Sequence, residues 1–444
     1  MTDDERRAIA ESVAGKAIES MTRERSIDPS RLGEAIGRAV REALPELDTT
    51  RPAITFAEAQ KQALALIARR VNGDERAIPL PFDDLDAQFG GGLWPGLHFV
   101  TSTTGTGKTA LALQIARGAA NAGSHVLYVP LELDAPQLAI RMIADTLWDE
   151  WRANHKTWET NGKRGHEPPR PPSWSDAYEG RMSGDSKGTA AGHAAAFKNT
   201  WAAKFASVEI PRFHVVEGTP GTWDASTLEA ELDRVSPPGQ TPDRPPLIVV
   251  DFLQLVGPLG GPDQRQDPRE RIGLVSYHLR DLARRRGAAV LVISSTARSN
   301  YGAFYGAKDG SSKAPRVEFT NGTTRLIGCA YLLEASGKES GEVEYAADTV
   351  SALLRTPDGE QSIFATAKGR SRGPTRHQWC ALKFEGGRFV EGDAGAAAAS
   401  WAGEDATEAS ADDKSSGKAK SKGKGGKPDA GEFCDDAPIV KFNV

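Results

Sequence analysis

The sequence is poor in cysteine and has no hydrophobic run long enough to cross a membrane. Its 444 residues include 3 cysteines, Cys329, Cys380 and Cys434, which lie far apart and form no CxxC pair. Because a disulfide framework needs paired cysteines, none is expected, and a reducing compartment fits best. A membrane helix needs about 20 apolar residues. We therefore expect a cytoplasmic protein without a membrane contact.

Secretory and metal-site signals are also missing. The first residues, MTDDERRAIAES, are charged, which is not typical of a secretory signal. The 8 histidines form no HExxH motif and no Cys/His cluster, so no structural metal is predicted. The net charge of −5 argues against a surface coated with cations. It does not exclude nucleic acid, because basic residues can be confined to a channel.

The composition suits a large core with additional segments. Hydrophobic residues make up 39% of the chain and charged residues 26%, which predicts two or three units at this length. Residues 1–50 are predicted to form a helical N-terminal segment. Residues 51–78 contain an amphipathic linker helix with Phe56, Leu64, Ile67 and Val71 at helical spacing. This helix either packs on a neighbouring subunit or covers an edge of its own sheet.

Residues 79–391 alternate between strand and helix patterns. The runs LHFVT, HVLYVPLE, LIVVDFLQLV and AAVLVISS are typical of strands buried on both faces. Strands that alternate with helices predict an α/β domain with a mostly parallel central sheet. Residues 149–210, rich in Trp, Pro and Gly, are interpreted as an insertion. Residues 392–444, rich in Ala, Gly, Ser and Lys, are predicted to be a disordered tail.

A phosphate-binding loop lies between the first strand and the helix that follows it. Its sequence is STTGTGKT, made of Ser102, Thr103, Thr104, Gly105, Thr106, Gly107, Lys108 and Thr109. A turn of small residues lets backbone N–H groups wrap phosphates at a helix N-terminus. We expect Lys108 to reach the β- and γ-phosphates of ATP and the Thr109 hydroxyl to ligate Mg²⁺. An ordinary glycine- and threonine-rich loop is the alternative.

Two carboxylates stand at the ends of apolar strands. Asp251 follows LIVV, where an acidic side chain is costly unless it serves a cation or a donor. We expect it to hold Mg²⁺ with Thr109. Glu132 follows the second strand and is the candidate general base that activates water. From the residues alone, Glu132 can equally be a surface side chain at the start of the next helix.

Five ordered segments together resemble the motor domain of DnaB-type replicative helicases, a RecA-like P-loop ATPase. They are FDDLDAQFGGGLWPGLHFVTSTTGTGKTALALQIA, PLELDAPQLAIRMIA, LIVVDFLQLV, ESGEVEYAADTV and AKGRSRGPT. The second is similar to the family's S-L-E-M segment and the third to its I-D-Y-L-Q-L strand. The resemblance implies a catalytic role for Glu132.

The resemblance also implies a hexameric ring with ATP bound between subunits. Lys368 and Arg370 match the residues that contact the γ-phosphate of a neighbour, although one extra residue before GPT leaves Arg372 as the alternative to Arg370. The family's S-Q-x-N-R sensor is SSTAR here, with Ser295 in place of the glutamine. Gln254 is expected to compensate for it in part. Solvated basic residues at a strand end remain the plain interpretation of Lys368 and Arg370.

Partners are predicted from the loops, the insertion and the tail. The segments 257–271 and 298–316 are Gly-rich with interspersed cations and are candidates for contact with single-stranded DNA. Tryptophans of the insertion indicate either a protein partner or a small satellite core. The tail is a second candidate for a docking peptide. The expected activity is an ATP-dependent, ring-forming DNA helicase or translocase, with a non-unwinding assembly switch or a repair ATPase as alternatives.

Overall fold

The computed structural model describes most of the chain between residues 53 and 402. The described ranges are 53–183, 188–237, 243–259, 267–296, 316–320, 323–327, 343, 345–370 and 378–402. The predicted N-terminal segment 1–50, residues 298–315 of the second DNA-contact candidate, Arg372 and the tail from 403 lie outside them. The chain divides into two units, Met1–Glu75 and Arg76–Val444.

The described part of the first unit is the predicted linker helix, α1 (Phe56–Asn72). It begins in a capping box, in which the Thr55 side chain accepts from the Glu58 N–H at 3.2 Å and the Glu58 carboxylate accepts from the Thr55 N–H at 2.8 Å. It ends at Gly73, whose φ of 78° is in the left-handed region. The apolar stripe of the helix, which includes Phe56 and Leu64, is exposed.

The second unit is built on a nine-stranded sheet within the described residues. Its first five strands are β1 (Gly96–Ser102), β2 (Val126–Pro130), β3 (Phe213–Val215), β4 (Leu247–Asp251) and β5 (Ala289–Ser295). They pair in parallel in the order β1-β5-β4-β2-β3. Because the strands are parallel, the carboxyl ends of β1, β2, β4 and β5 lie at one edge, which carries the candidate site.

An antiparallel extension continues the sheet beyond β1. A separate hairpin pairs β6 (Arg316–Thr320) with β7 (Thr323–Ile327). The extension consists of β8 (Thr349–Arg355), β9 (Ser362–Gly369), β10 (Trp379–Glu385) and β11 (Arg388–Glu391). Strand β8 is parallel to β1, and β9, β10 and β11 follow as antiparallel neighbours. The prediction of a mixed α/β fold with a mostly parallel sheet is confirmed.

Helices cover both faces of the sheet. They are α2 (Asp83–Gln88), α3 (Lys108–Asn121), α4 (Ala135–Thr160), α5 (Trp174–Tyr178), α6 (Ala190–Ala196), α7 (Ala202–Ser207), α8 (Leu228–Val235), α9 (Pro268–Arg286) and α10 (Ala394–Ala402). Side chains of α2, α3 and α4 form one core with alternate strand residues such as Val100 and Tyr128. Side chains of α8 and α9 form a second core with the intervening residues such as Phe99 and Leu127. This alternation explains why the strand sequences are apolar throughout.

The insertion begins later than its composition suggests. Helix α4 continues to Thr160, so the first twelve residues of the interval 149–210 belong to a helix that starts in the core. Beyond it, Trp201 is 5% exposed and packs with Leu147 and Met182 in a small satellite core. Trp148 is also buried, at 6% exposure. For these two tryptophans packing, and not a free partner surface, describes the structure.

The interval predicted to be disordered starts with ordered residues. Helix α10 lies within it, and Ala397 is fully buried against Ala352, Ala365 and Trp379. Small alanine side chains allow this close approach to the sheet, which composition alone does not indicate. In the part of the chain that the structure describes, no helix is both long and apolar enough to span a membrane.

Candidate nucleotide-binding site

A cavity of about 420 Å³ opens at the carboxyl edge of β1 and β4. Residues 104–109 of the predicted loop form its floor, together with Glu132 and Asp251. These three parts of the site are far apart in the sequence. Parallel pairing brings them together, because Pro130 at the end of β2 is in register with Asp251 at the end of β4.

The loop connects β1 directly to α3 and needs glycine at Gly107. Its φ of 92° lies in the left-handed region, and a Cβ there would fall 2.9 Å from the Phe389 ring and 3.2 Å from the Phe384 ring. Ser102 and Thr103 are buried below the cavity. The Ser102 hydroxyl contacts Thr106, whose hydroxyl donates to the Thr103 carbonyl at 2.9 Å. These hydroxyls brace the loop from within.

Lys108 lies partly buried at the start of α3. Its ammonium donates to the carbonyls of Thr103 at 2.7 Å and Ser102 at 3.3 Å. Burial lowers the pKa of Lys108, while the charges of Asp251 and Glu132 raise it again. The side chain is therefore held by backbone carbonyls within the electrostatic range of both carboxylates, with no carboxylate bound to it directly in the described residues.

Asp251 is 2% exposed and has one oxygen with a partner and one without. Its Oδ2 accepts from the Tyr128 hydroxyl at 2.8 Å. Its Oδ1 is buried and has no hydrogen-bond partner among the described residues. Burial raises the pKa of Asp251, and the hydroxyls of Tyr128 and Thr109 oppose this rise. A buried carboxylate oxygen without a donor is costly unless a cation meets it.

The donors at this point suit magnesium. Thr109 offers a hydroxyl and Asp251 an unpaired carboxylate oxygen, and both line the cavity. No cluster of three or more His, Cys, Asp or Glu side chains suited to a metal ion occurs in the described ranges. Mg²⁺ does not need one, because it is commonly held by one or two protein oxygens together with substrate phosphates and water.

Glu132 stands at the mouth of the cavity, two residues beyond β2 and two before Asp134, which caps α4. The Asp134 side chain accepts from the Gln137 N–H at 2.7 Å, so the position at which the helix begins is fixed. Glu132 is exposed, which leaves its carboxylate open to solvent in the cavity.

Gln254 lies behind the cavity wall and contacts the end of β5. Its side-chain N–H₂ donates to the Ser294 hydroxyl at 2.9 Å, and its Oε1 accepts from the Ser295 N–H at 3.2 Å. Ser295 lines the cavity itself. The glutamine thus supports the position where the sequence has serine in place of the family's glutamine.

Lys368 and Arg370 lie apart from this cavity. Lys368 is near the end of β9, opposite Val350 of β8, and Arg370 follows the strand. The Arg370 guanidinium donates to the Tyr345 carbonyl at 2.6 Å and its backbone N–H to the Asp348 carbonyl at 2.8 Å. Neither side chain lines the chain's own cavity, and Arg372 lies outside the described residues.

Four further side chains at the cavity are not indicated by sequence motifs. Arg141 of α4, Trp174 of α5, Arg355 of β8 and Arg388 of β11 all line it. Arg388 pairs with Asp145 at 3.2 Å and Asp149 at 2.6 Å on α4, and Arg117 of α3 pairs with Asp145 at 2.9 Å. The contacts of Arg388 join parts of the chain that are far apart in the sequence, which no local pattern could predict.

The fold and the site define a RecA-like P-loop core. A family model described as "DnaB-like helicase C terminal domain" matches residues 77–154, which contain the loop and Glu132 but not Asp251. No curated protein matches the chain.

Two solved structures support the same assignment of fold. One is titled as an isolated "ATPase Domain"; it is 16% identical with a TM-score of 0.52, and the match covers 77% of this chain and 100% of that one. The other is titled "The Structure Of A DnaB-Like Replicative Helicase And Its Interactions With Primase". It is 16% identical with a TM-score of 0.50 over 88% of this chain and 77% of that one. The resemblance to the DnaB-type helicase motor domain is confirmed.

Proposed function

We propose that the chain is an ATP-dependent, ring-forming helicase or translocase of the DnaB-like kind, acting on single-stranded DNA in replication or in maintenance of a mobile element. The observation that carries the proposal is the convergence of Lys108, Thr109, Asp251 and Glu132 on one cavity. The family match over residues 77–154 supports a helicase-family function.

Each side chain has a distinct role in this proposal. The backbone of residues 104–109 binds the phosphates, and Lys108 leaves its carbonyl partners to meet the β- and γ-phosphates. Thr109 and the free oxygen of Asp251 hold Mg²⁺. Bound Mg²⁺ neutralises charge on the phosphates. Glu132 orients a water molecule and accepts its proton as the water attacks the γ-phosphate.

The neighbouring subunit completes the site. We propose that Lys368 and Arg370, or Arg372 in place of Arg370, reach the γ-phosphate of an adjacent copy in a hexameric ring. Their separation from the cavity of their own chain supports a role in trans. Cations aimed at the phosphate from a second subunit stabilise charge that develops in the transition state.

A route from the site to DNA runs through Gln254. Arg271, at the end of the first candidate DNA loop, donates to the Gln254 carbonyl at 3.4 Å. The Gln254 side chain in turn contacts Ser294 and Ser295 at the cavity. We propose that loop movement is coupled to turnover by this path. A protein partner for the insertion or the tail belongs to the same proposal, since the second structural neighbour is titled with its interactions with primase.

One observation favours a second candidate, a RecA-like ATPase that switches or assembles without unwinding. Ser295 is shorter than the glutamine at the family's sensor and cannot span the same distance to a γ-phosphate without a water molecule. Binding of ATP would be unaffected, whereas coupling to DNA movement would be weak. A repair ATPase that coats single strands is a third candidate.

Two assays separate these candidates. The ATPase rate is measured during titration with single-stranded DNA, and unwinding is measured on a forked duplex. The proposed helicase responds in both assays. Stimulation without unwinding supports the strand-coating ATPase, and hydrolysis that ignores DNA supports the switch. Gln254→Ala serves as the test of coupling, with ATP hydrolysis retained and DNA stimulation lost.

A further inference from the structure

Arg141 is a cation at the nucleotide cavity that lacks an anionic partner. It lies on the second turn of α4 and lines the cavity with Glu132 and Asp251. Its Nε is buried without a hydrogen-bond partner, and no ion pair is formed by its side chain within the described residues. An arginine taken partly out of water is costly unless an anion meets it. The polyphosphate of a bound nucleotide is such an anion.

An aromatic ring from the insertion holds this arginine. The guanidinium carbon of Arg141 lies 4.0 Å from the centroid of the Trp174 ring. Trp174 also closes against the turn between β10 and β11, where a Cβ at Gly387 would fall 2.6 Å from Trp174 Cδ1. The ring therefore bridges α4 and this turn at the cavity wall.

The chain segment before Trp174 runs back along α4 towards the cavity. We call residues 161–178 the return limb. Trp158 donates to the Gly165 carbonyl at 3.4 Å and Trp151 to the Pro168 carbonyl at 3.0 Å. The Arg170 guanidinium then lies 4.7 Å from the Trp148 ring. At its end, the Gln137 side chain of α4 donates to the Tyr178 hydroxyl at 3.1 Å. The limb follows the helix over about 30 Å, at roughly 1.5 Å per residue.

We propose that Trp174 is a positioning residue for the nucleotide: it holds Arg141 against the polyphosphate and makes the insertion a wall of the ATP site. This inference rests on the proposed ATP-binding function and extends it to the insertion. The binding affinity for ATP then depends on whether the cavity end of the return limb is seated on α4.

The test is a double-mutant cycle read by nucleotide affinity. Trp174→Leu keeps apolar volume but removes the aromatic face, and we expect it to raise the Kd for ATP about three- to tenfold, as for loss of one partly buried cation–aromatic contact. Arg141→Gln is expected to raise the Kd by at least as much. Trp174→Leu added to Arg141→Gln is expected to cause no further rise, because the ring acts through the guanidinium.

The controls separate this inference from folding and from the proposed function. Trp158→Leu removes a ring at the far end of the limb, 5.7 Å from the Lys163 ammonium, and should leave the Kd unchanged. Trp174→Phe should restore most of the affinity, and thermal unfolding checks the fold of each variant. A Trp174→Leu protein that binds ATP like Trp158→Leu, or additive effects in the cycle, overturns the inference while the ATPase proposal stands. A wild-type chain that does not bind ATP overturns both.

Discussion

Asp251 and Tyr128 form a buried pair whose geometry prepares the magnesium site. Tyr128 is fully buried, and its hydroxyl occupies one oxygen of the carboxylate, which leaves the other without a protein donor. The charge and burial of Asp251 raise the pKa of the Tyr128 hydroxyl after the larger effect of the tyrosine's own burial, so it stays a donor. The carboxylate is thus oriented by a residue that no motif contains.

Removing the tyrosine hydroxyl tests this orientation. Tyr128→Phe leaves Asp251 without its donor, and we expect the free energy of unfolding to fall by about 1–2 kcal/mol. The Mg²⁺ concentration for half-maximal ATPase activity should also change, because the carboxylate is free to turn. Denaturant unfolding and Mg²⁺ titration measure the two effects. Unchanged values in both would contradict an orienting role.

Two loop glycines differ in what surrounds them and so provide a matched pair. Gly105 and Gly107 have φ values of 78° and 92°, but a Cβ at Gly105 meets nothing within 4 Å. Gly105→Ala should therefore cost only the backbone strain of about 1–2 kcal/mol. Gly107→Ala should cost more, since it also displaces the Phe384 and Phe389 rings. Unfolding without nucleotide compares them, and equal losses would count against the packing argument.

Sequence reasoning located the chemistry at the residue scale but not its supports. Lys108, Thr109, Asp251 and Glu132 stand at strand ends, where a polar residue after an apolar run is visible in one dimension. Arg388 is not visible in this way, because its partners Asp145 and Asp149 belong to a helix far away in the chain. Their contact depends on the order of strands in the sheet.

At the scale of elements, β1 and β8 are joined by a buried histidine. His98 Nε2 donates to the Trp94 carbonyl at 2.9 Å, which leaves Nδ1 to accept from the Thr349 hydroxyl at 2.9 Å. Burial lowers the pKa of His98 below its ordinary 6.5. The neutral ring is therefore the form that links the two strands.

The sign of its pH effect follows from this lowered pKa. The unfolded chain binds a proton at His98 more readily than the folded chain does, so stability contributed by the neutral ring is present above pH 6.5 and is lost as the pH falls below it. We expect the wild-type Tm to decline more steeply than that of His98→Gln between neutral and mildly acidic pH. Parallel Tm profiles would show that His98 does not carry the effect.

The ion-pair network between α3, α4 and β11 joins the parallel core to its antiparallel extension. Asp145 is largely buried between Arg117 and Arg388, and burial raises its pKa while both cations lower it. Arg388→Met should lower the free energy of unfolding by about 2 kcal/mol, because part of a buried pair is lost. Lys383→Met is the control, since its pair with Glu385 is half exposed and should not matter. Equal denaturation midpoints for the two variants would contradict the argument.

The central elements followed from periodicity, whereas the ends of the insertion did not. Buried apolar runs correctly indicated β1, β2, β4 and β5, because strands covered on both faces contain few polar residues. Helix α4 extends into the predicted insertion because its exposed turns are polar, as the insertion is. Composition therefore did not mark where the helix ends.

At the scale of the whole molecule, the proposal requires a site shared between subunits. Lys108→Ala and Arg370→Ala should each abolish ATP hydrolysis, for different reasons. Mixed in equal amounts, the two proteins should regain about one quarter of the wild-type rate, because that fraction of random interfaces pairs an intact loop with an intact arginine. No recovery on mixing would contradict a contribution in trans from Arg370, and Arg372→Ala is then the variant to mix.

Steady-state ATP hydrolysis by the purified chain tests the central claim most directly. The wild-type protein and Lys108→Ala are compared in Mg²⁺, with Lys156→Ala, an exposed lysine of α4, as the matched control. The account predicts turnover in wild type and in Lys156→Ala, and a loss of at least about a hundredfold in Lys108→Ala, since its ammonium stabilises the transferred phosphoryl group. A wild-type chain that does not hydrolyse ATP, or a Lys108→Ala chain that hydrolyses it normally, would contradict the account.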